Sequence, residues 1–537
     1  MRRDLIIVLL VVAAATLPFI NKPVHMDGVY FLGLAKTKLA SPLTDGIPNY
    51  DFAGAHLKQF TDTHPPLLPY YLAAVERLTG SSNEKMLHLF LVPFALLVGA
   101  AGYLLARKFV RDSLFAALLL VISPGFVVMA SDVMSDLPML AFWLGSVASY
   151  VYGLDKRSNL LLALSGLSAA LAFFTSYESL ALIPLLLLYA IVTGRLSLSA
   201  AAPWLTAAVI FCGYLVLKWH FLGELPRLHP QSSASVFGPG VSRFFPKASS
   251  VFLFLGGAVV FPPAVLAAFW PRRKQIWDFA ILVIPFVLFP ALLALAGLTP
   301  WGQAPQMALF LPAAGLMLYG FIEQLRKNKE SRQSWIFLSL WLAGVIFYTG
   351  VLLYQSAVKY LLPAFFPIAV LLAAQARERF GSGRALLWFK GATLVATAIL
   401  AFSVAVADYD LAAGYKDFAQ QSFKAEFPGS GTFWFTGEFG WRYYLEQHGF
   451  RYLLINDKRP RPGDIILQPL LPGSLPLGND LSKRVKMVGE KIIWGNIPLK
   501  IINPPSGAGF YGYRWGLLPY SFSGRELDHV YIYKVVK

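Results

Sequence analysis

The chain is short of two things that soluble proteins use freely, cysteine and charge. It contains one cysteine in 537 residues, and Asp, Glu, Lys and Arg together make up 14% of it. A single cysteine excludes an intramolecular disulfide, and because Cys212 lies within an apolar run we expect its side chain to be buried. Soluble globular domains carry about 25% charged residues, so a chain this poor in charge is not typical of them.

Apolar residues take the place of the missing charge. They make up 56% of the sequence, and the mean hydropathy is +0.57. One soluble core cannot bury that much apolar surface, so most of it must face lipid. The formal net charge is +17, but the basic residues form short clusters between apolar runs, as they do when they orient membrane helices. We therefore predict membrane lipids as partners and no binding of nucleic acid.

The signatures of many soluble enzymes are also absent. The sequence contains no Walker loop, no GxGxxG after a strand, no HExxH and no CxxC. We therefore predict no nucleotide chemistry and no cofactor, and the sequence leaves a requirement for a divalent metal open.

Apolar segments long enough to cross a bilayer recur along the first three quarters of the chain. A crossing helix needs about 20 mainly apolar residues. The sequence therefore predicts an all-α polytopic membrane domain over residues 1–407 with about thirteen transmembrane helices. The predicted spans are 4–21, 86–106, 114–130, 137–153, 159–175, 179–194, 201–219, 250–270, 276–297, 305–323, 335–354, 357–375 and 387–407.

The loop charges predict an orientation for these spans. Lys and Arg collect on the cytoplasmic side, and every second loop is basic when the count starts from Arg2 and Arg3. This alternation predicts a cytoplasmic N-terminus and an extracytoplasmic C-terminus. We also expect the membrane to be a bacterial inner or plasma membrane. The alternative that the first run is a cleaved signal peptide is disfavoured, because residues 16–19 lack a small-x-small cleavage site.

Two predicted outer loops are long. Residues 22–85 contain the pattern of an interfacial helix at 29–39 and a second helix at 66–78, with Thr63 as a candidate N-cap and Gly80 at the exit. The other loop, 220–249, is basic on the side where few charges are expected, and it contains Arg227, Arg243 and Lys247.

The composition changes after residue 407. Strand patterns at 432–436, 464–467 and 529–536 surround a helical pattern at 441–448. These patterns predict a small C-terminal α/β extracytoplasmic domain over residues 408–537.

Acidic residues stand at the ends of the predicted outer loops. Asp27 is either the N-cap of the interfacial helix or a general base at the membrane surface. Asp136 starts a helix by the capping rules, but Asp132 and Asp136 lie where carboxylates are costly and tend to face a cavity. We expect Glu178, in a short loop, to be solvated.

Polar residues that could contact an anion lie on the same predicted side. His64 either belongs to a turn before a helix or hydrogen-bonds an anionic head group. Lys359, which Tyr360 follows, either extends to the interface or binds a phosphate.

Taken in order, these segments resemble the GT-C glycosyltransferases, in particular the bacterial relatives of protein O-mannosyltransferases and of the lipid A aminoarabinose transferase. Residues 27–35 are similar to the acidic motif of the family's first outer loop, with Gly28 where a second acid usually stands. Residues 65–67 fit its Pro-Pro-Leu element, with His64 where many members have Lys. Residues 136–138 fit an Asp-x-Pro motif, and residues 359–363 fit an Arg-Tyr-Leu-Leu-Pro motif with Lys for Arg.

The resemblance implies transfer of a sugar from a polyprenyl-phosphate donor to a hydroxyl of an extracytoplasmic lipid, glycan or protein, with inversion. Asp27 and Asp136 would then be catalytic. Substrate contacts would come from His64, Asp132, Arg227, Arg243, Lys247, Lys359 and Tyr360. The alternative function is a transporter or lipid flippase for an envelope precursor, although the spans show no inverted pattern of broken helices.

Overall fold

The computed structural model describes residues 2–42, 44, 46–60, 64–223, 241–270, 276–295, 300–421, 423–473 and 475–537. The protein is mainly helical, with a small sheet region near its C-terminus. The helices up to residue 419 are α1 (Arg2–Thr16), α2 (Gly28–Ala40), α3 (Leu67–Thr79), α4 (Glu84–Phe109), α5 (Ser113–Val121), α6 (Pro124–Ala130), α7 (Asp136–Lys156), α8 (Asn159–Thr175), α9 (Leu182–Val192), α10 (Leu198–Leu222), α11 (Val241–Ala258), α12 (Pro262–Ala268), α13 (Ile276–Leu295), α14 (Ala304–Lys327), α15 (Arg332–Phe347), α16 (Leu362–Phe380) and α17 (Arg384–Ala419).

Each predicted span overlaps one of these helices or a consecutive pair of them. Among the described residues, seven helices are long and apolar enough to cross a membrane, or up to nine if each of two bent pairs is one span. The chain is therefore an integral membrane protein, as predicted, and the count of thirteen spans stays a prediction. The predicted burial of Cys212 is wrong, because this residue of α10 is exposed on the protein surface.

In each of the two bent helix pairs, the second helix starts at a proline. Helices α5 and α6 meet at 55°, and Pro124 is the first residue of α6. Helices α11 and α12 meet at 83°, where Pro262 starts α12. Proline has no backbone N–H and its ring collides with the preceding turn, so a helix readily starts at it but does not continue through it.

The segment 22–85, which we predicted as the first outer loop, contains both predicted helices and a hairpin that the sequence did not predict. Helix α2 corresponds to the interfacial pattern, and α3 ends at Gly80 in the left-handed conformation, with φ of 67°. Thr63 lies outside the described residues. Between the helices, β1 (Ile47–Phe52) and β2 (Ala55–Phe60) pair antiparallel.

The C-terminal region contains short helices and a mixed sheet. Its strands and helices are β3 (Phe433–Phe435), β4 (Arg451–Tyr452), β5 (Ile465–Pro469), β6 (Val485–Ile493), β7 (Leu499–Lys500), β8 (Ile502–Asn503), β9 (Ala508–Gly509), β10 (Ser521–Phe522), β11 (Asp528–Val535), α18 (Phe423–Glu426), α19 (Phe439–Gln447) and α20 (Asn479–Ser482). Five of the strands form the mixed sheet, in the order β4, β3, β5, β11, β6. Strand β3 is parallel to β4 and β5, and β11 is antiparallel to β5 and β6. The three predicted strands correspond to β3, β5 and β11, and the predicted helix corresponds to α19.

The last membrane helix leads directly into this region. Helix α17 has 36 residues, so it is about 54 Å long at 1.5 Å per residue, more than a bilayer core requires. The predicted boundary between residues 407 and 408 falls inside it.

A buried group that we call the Glu438 clamp joins the hairpin to the C-terminal region. Glu438 accepts hydrogen bonds from the backbone N–H of Ala53 at 2.9 Å, from the Tyr452 hydroxyl at 2.6 Å and from the Tyr30 hydroxyl at 3.2 Å. Arg442 forms an ion pair with Glu438 at 3.3 Å. The Arg442 guanidinium also lies 4.1 Å and 4.4 Å from the ring centroids of Tyr50 and Tyr452.

Replacement of Glu438 tests the clamp. We expect Glu438→Ala to lower the free energy of unfolding by about 3 kcal/mol, because it leaves the buried Arg442 charge without one of its carboxylates. Thermal unfolding of the purified protein in detergent measures the loss. Asp480→Ala is the matched control, since Asp480 is 81% exposed and lies 4.0 Å from Arg484. We expect almost no change in the free energy of unfolding for Asp480→Ala. An equal loss of stability in both variants would show that the Glu438 clamp does not stabilise the fold.

Candidate functional site

Asp27 and Lys359 form an ion pair across 332 positions of sequence. Lys359 Nζ donates to Asp27 Oδ2 at 2.8 Å. The lysine is only 4% exposed, so its ammonium does not extend to an interface. Asp27 immediately precedes α2, but its side chain makes no capping hydrogen bond. The structure therefore pairs the two residues with each other and shows neither a helix cap nor a lysine that reaches the membrane surface.

The ion pair decides the protonation state of Asp27. Burial alone would raise the pKa of the carboxyl group, because a low dielectric disfavours the charged form. The Lys359 ammonium outweighs burial and, with help from His64, holds the pKa of Asp27 below its usual range. Asp27 is therefore ionised at neutral pH.

Asp136 adds a second carboxylate next to the pair. It is the first residue of α7 and is 5% exposed. It interacts electrostatically with Lys359, His64 and Asp27. Among the described residues, its Oδ2 atom is buried without a hydrogen-bond partner. Because such an atom is costly to bury, it is well placed to accept a hydrogen bond from a ligand.

His64 and Glu178 complete the polar surroundings. The His64 ring packs edge-on against Phe31, with the centroids 5.2 Å apart, just before α3. Glu178 interacts electrostatically with Asp136, Lys359 and His64. Glu178 is half-buried and also lines a mainly apolar, half-open cavity, so it does not have the ordinary solvated position that we expected.

This cavity has a volume of about 270 Å³ and lies between α7, α9, α15 and α16. Most of its lining is apolar, with Trp143, Leu188 and Trp341 among the residues. Tyr360 also lines the cavity, and its ring centroid lies 5.1 Å from Lys359 Nζ. The cavity therefore offers an apolar space beside a charged site.

Asp132 belongs to a different buried group, which we call the Lys22 cluster and which consists of Lys22, Asp132, Asp408 and Tyr511. Lys22 Nζ lies 2.5 Å from Asp132 Oδ1 and also forms an ion pair with Asp408. The Tyr511 hydroxyl lies 2.9 Å from Asp408 Oδ2 and also hydrogen-bonds Asp132. Lys22 is completely buried. The structure thus brings Asp132 to Lys22 and not to Lys359.

The basic residues of segment 220–249, predicted as the second long outer loop, are described only in part. Lys247, in α11, donates to the backbone carbonyls of Val351 at 3.1 Å and Leu353 at 2.8 Å. Arg227 and the side chain of Arg243 lie outside the described residues. The ammonium of Lys247 therefore binds backbone carbonyls of residues 351–353, a few residues before Lys359.

The sequence analysis did not single out Lys22, Asp408 or Tyr511. A signal for Asp408 was present, since it directly follows the last predicted span and an acid at that depth is rarely without a role. No local sequence pattern indicates that Lys22 and Tyr511 contact Asp408. In the part of the chain that the structure describes, no three His, Cys, Asp or Glu side chains are grouped so as to hold a metal ion.

Solved structures that are similar to this chain include membrane transferases. The oligosaccharyltransferase of Archaeoglobus fulgidus, in a complex with Zn and sulfate, is 15% identical with a TM-score of 0.49, over 84% of this chain and 62% of the archaeal chain. This chain therefore spans about 62% of the length of that enzyme. ArnT from Cupriavidus metallidurans, bound to undecaprenyl phosphate, is 16% identical with a TM-score of 0.44, over 99% and 97% of the two chains. The Pmt1-Pmt2 complex of S. cerevisiae is 18% identical with a TM-score of 0.33, over 41% and 33%.

Sequence comparison adds a family match. No curated protein matches the chain. Residues 63–219, which include His64, Asp136 and Glu178, match the model of the family described as dolichyl-phosphate-mannose-protein mannosyltransferase. This match confirms, over residues 63–219, the resemblance to the protein mannosyltransferases that the sequence motifs predict.

Proposed function

We propose that this protein is a glycosyltransferase that moves a sugar from a polyprenyl-phosphate donor to a hydroxyl of a lipid, a glycan or a protein. The observation that carries the proposal is the Asp27–Lys359 pair, which places a carboxylate and a buried ammonium 2.8 Å apart. The family match over residues 63–219 supports the reaction class.

The pair supplies the two groups that such a transfer needs. Asp27 takes the proton of the acceptor hydroxyl as the hydroxyl oxygen attacks the anomeric carbon. The bond between that carbon and the phosphate oxygen breaks, and its electron pair leaves with the polyprenyl phosphate. Lys359 and His64 stabilise the negative charge that grows on the phosphate. Attack opposite to the departing phosphate inverts the anomeric configuration.

Donor binding also changes the effect of Lys359 on the basicity of Asp27. A carboxylate paired with an ammonium is a weak base, because the ammonium stabilises its charged form. When the donor phosphate enters, the Lys359 ammonium is shared between Asp27 and the phosphate. Asp27 then becomes more basic in the complex in which it has to accept a proton.

The remaining groups have roles in binding. The unpartnered oxygen of Asp136 accepts a hydrogen bond from a substrate hydroxyl. The apolar cavity beside Tyr360 receives the isoprenoid carbons next to the phosphate. No cofactor is needed, since the donor is already activated.

The alternation of basic loops supports an orientation. In the proposal the N-terminus is cytoplasmic, and Asp27, Lys359 and the C-terminal domain lie on the opposite side of a bacterial inner membrane. Donor and acceptor therefore meet outside the cytoplasm.

Replacement of the proposed base tests the function. We expect Asp27→Asn to lower the rate of transfer by about 10² to 10⁴, the usual contribution of a general base. The measurement uses purified protein, a set of undecaprenyl-phosphate-linked radiolabelled hexoses and pentoses, and an envelope extract as the source of acceptors. The matched control is Asp155→Asn, because Asp155 is also ion-paired, to Lys108 at 2.5 Å. We expect Asp155→Asn to leave transfer unchanged.

The same preparation separates the proposal from its rival. A transporter or flippase moves the labelled lipid across sealed vesicles but forms no new glycoside in detergent. Movement without transfer, in the wild type, would show that the rival is right.

The ion pair also predicts a pH dependence. Transfer needs ionised Asp27, so activity is present above the pKa of this group and is lost as the pH falls through it. Because Lys359 holds that pKa low, we expect Lys359→Met to move the acidic limb of the pH–rate profile to higher pH. Lys359→Arg keeps the cation and should leave the limb near its wild-type position. An acidic limb that does not move in Lys359→Met would rule out Asp27 as the titrating base.

A further inference from the structure

A loop of the C-terminal domain, residues 509–516, contacts the chain directly before Lys359. The backbone N–H of Val358 donates to the carbonyl of Phe510 at 3.0 Å, and the N–H of Tyr513 donates to the carbonyl of Ser356 at 3.0 Å. Val358 is the neighbour of Lys359 in sequence. The backbone position of Lys359 therefore depends on the 509–516 loop.

The same loop contacts the chain directly before Asp27. The ring of Tyr511 lies edge-on to the ring of His25, with the centroids 5.8 Å apart. His25 is 4% exposed, and among the described residues neither of its ring nitrogens has a hydrogen-bond partner. Ring packing against Tyr511 and Tyr415 holds His25 two residues before Asp27. The Nε2 atom of His25 also lies 3.9 Å from Asp408 Oδ1, in the Lys22 cluster.

The hydroxyl of Tyr511 ties the loop to the Lys22 cluster. Two carboxylates, Asp132 and Asp408, face one ammonium there, so Lys22 alone leaves an excess of negative charge. The Tyr511 hydroxyl supplies a further hydrogen-bond donor to this pair of acids. Without that donor the buried acids would have to rearrange around Lys22, which lies three residues before His25.

Helix α19 of the C-terminal domain supports the same stretch from another side. The N–H of Val24 donates to the Tyr444 hydroxyl at 2.7 Å. A Cβ atom at Gly440 would lie 2.6 Å from the carbonyl oxygen of Val24, so the helix and this backbone are in direct contact. Residues 22–25 are thus held between the membrane helices and the C-terminal domain.

From these contacts we infer that Tyr511 is a positioning residue for glycosyl transfer, which sets how Asp27 and Lys359 face each other. The inference rests on the proposed function and gives the C-terminal domain a part in the reaction. The hydroxyl of Tyr511 acts through the Lys22 cluster on the segment that leads to Asp27. The loop that carries Tyr511 holds the segment that leads to Lys359 through the Phe510–Val358 hydrogen bond.

The test uses the full-length protein with Tyr511→Phe. The ring and its packing remain and only the hydroxyl is lost. We expect kcat for transfer to fall by about ten- to a hundred-fold, because small displacements of reacting groups have effects of this size. We expect KM for the undecaprenyl-phosphate-linked donor to change little. Amide hydrogen exchange of the substrate-free protein should be faster in peptides that cover residues 24–31 and 356–361.

Tyr520→Phe is the matched control. Tyr520 is also a buried tyrosine of the C-terminal domain, and its hydroxyl donates to the carbonyl of Gly257 in a membrane helix at 3.2 Å. It is not part of the Lys22 cluster. We expect Tyr520→Phe to leave kcat and the exchange of both peptides at wild-type values.

The possible outcomes can be told apart. Unchanged exchange in Tyr511→Phe, equal effects in Tyr520→Phe, or unchanged kcat in an active enzyme would each overturn the inference. If the wild type transfers no sugar, the proposed function fails, and the inference with it. Faster exchange in Tyr511→Phe would then still show the structural link to both segments. If Tyr511→Phe does not accumulate in membranes, Asp408→Asn tests the same cluster with the same readouts.

Discussion

A charge that cannot reach water must find its partner inside the protein, and this constraint organises the structure. Two buried ammonium groups, those of Lys359 and Lys22, are each met by carboxylates that lie far away in the sequence. An unpaired charge at such depth would be prohibitively costly, so each pair fixes the relative position of the segments that carry it. The arrangement of the membrane helices and of segment 22–85 therefore depends on a few ion pairs as well as on apolar packing.

The C-terminal region also takes part in this arrangement. Through Glu438 it holds the hairpin and Tyr30, and through Tyr444 it holds Val24. All of these contacts fall on residues 22–85, the segment that contains Asp27. The C-terminal region is therefore joined to this segment by specific polar contacts.

Much of the fold was predictable because the relevant signals are local. Apolar runs predict membrane helices, and the predicted strand patterns overlap β3, β5 and β11. The hairpin was missed because its turn is Ala53-Gly54, where both residues have positive φ, of 49° and 75°. Such turns are usually marked by Asn-Gly or Asp-Gly, and alanine gives no such signal.

The site was predictable only in part, for a different reason. Asp27, His64, Asp136 and Lys359 were candidates because each is an ionisable residue beside an apolar segment and lies in or next to a motif of the family that the chain resembles. The sequence could not show that Asp27 pairs with Lys359 while Asp132 pairs with Lys22, since the choice depends on how distant helices pack. Glu178 was misjudged for the same reason, because its surroundings come from three other segments.

The Lys22 cluster has a consequence for how the chain matures during synthesis. Lys22 leaves the ribosome 110 residues before Asp132 and 386 residues before Asp408, and Tyr511 follows later still. The Lys22 ammonium must therefore stay hydrated, or be sheltered by the insertion machinery, until its carboxylate partners have been synthesised. The Lys22 cluster is complete only once Tyr511 has been synthesised, so a chain that stops between residues 419 and 511 contains all the membrane helices described above but an incomplete Lys22 cluster.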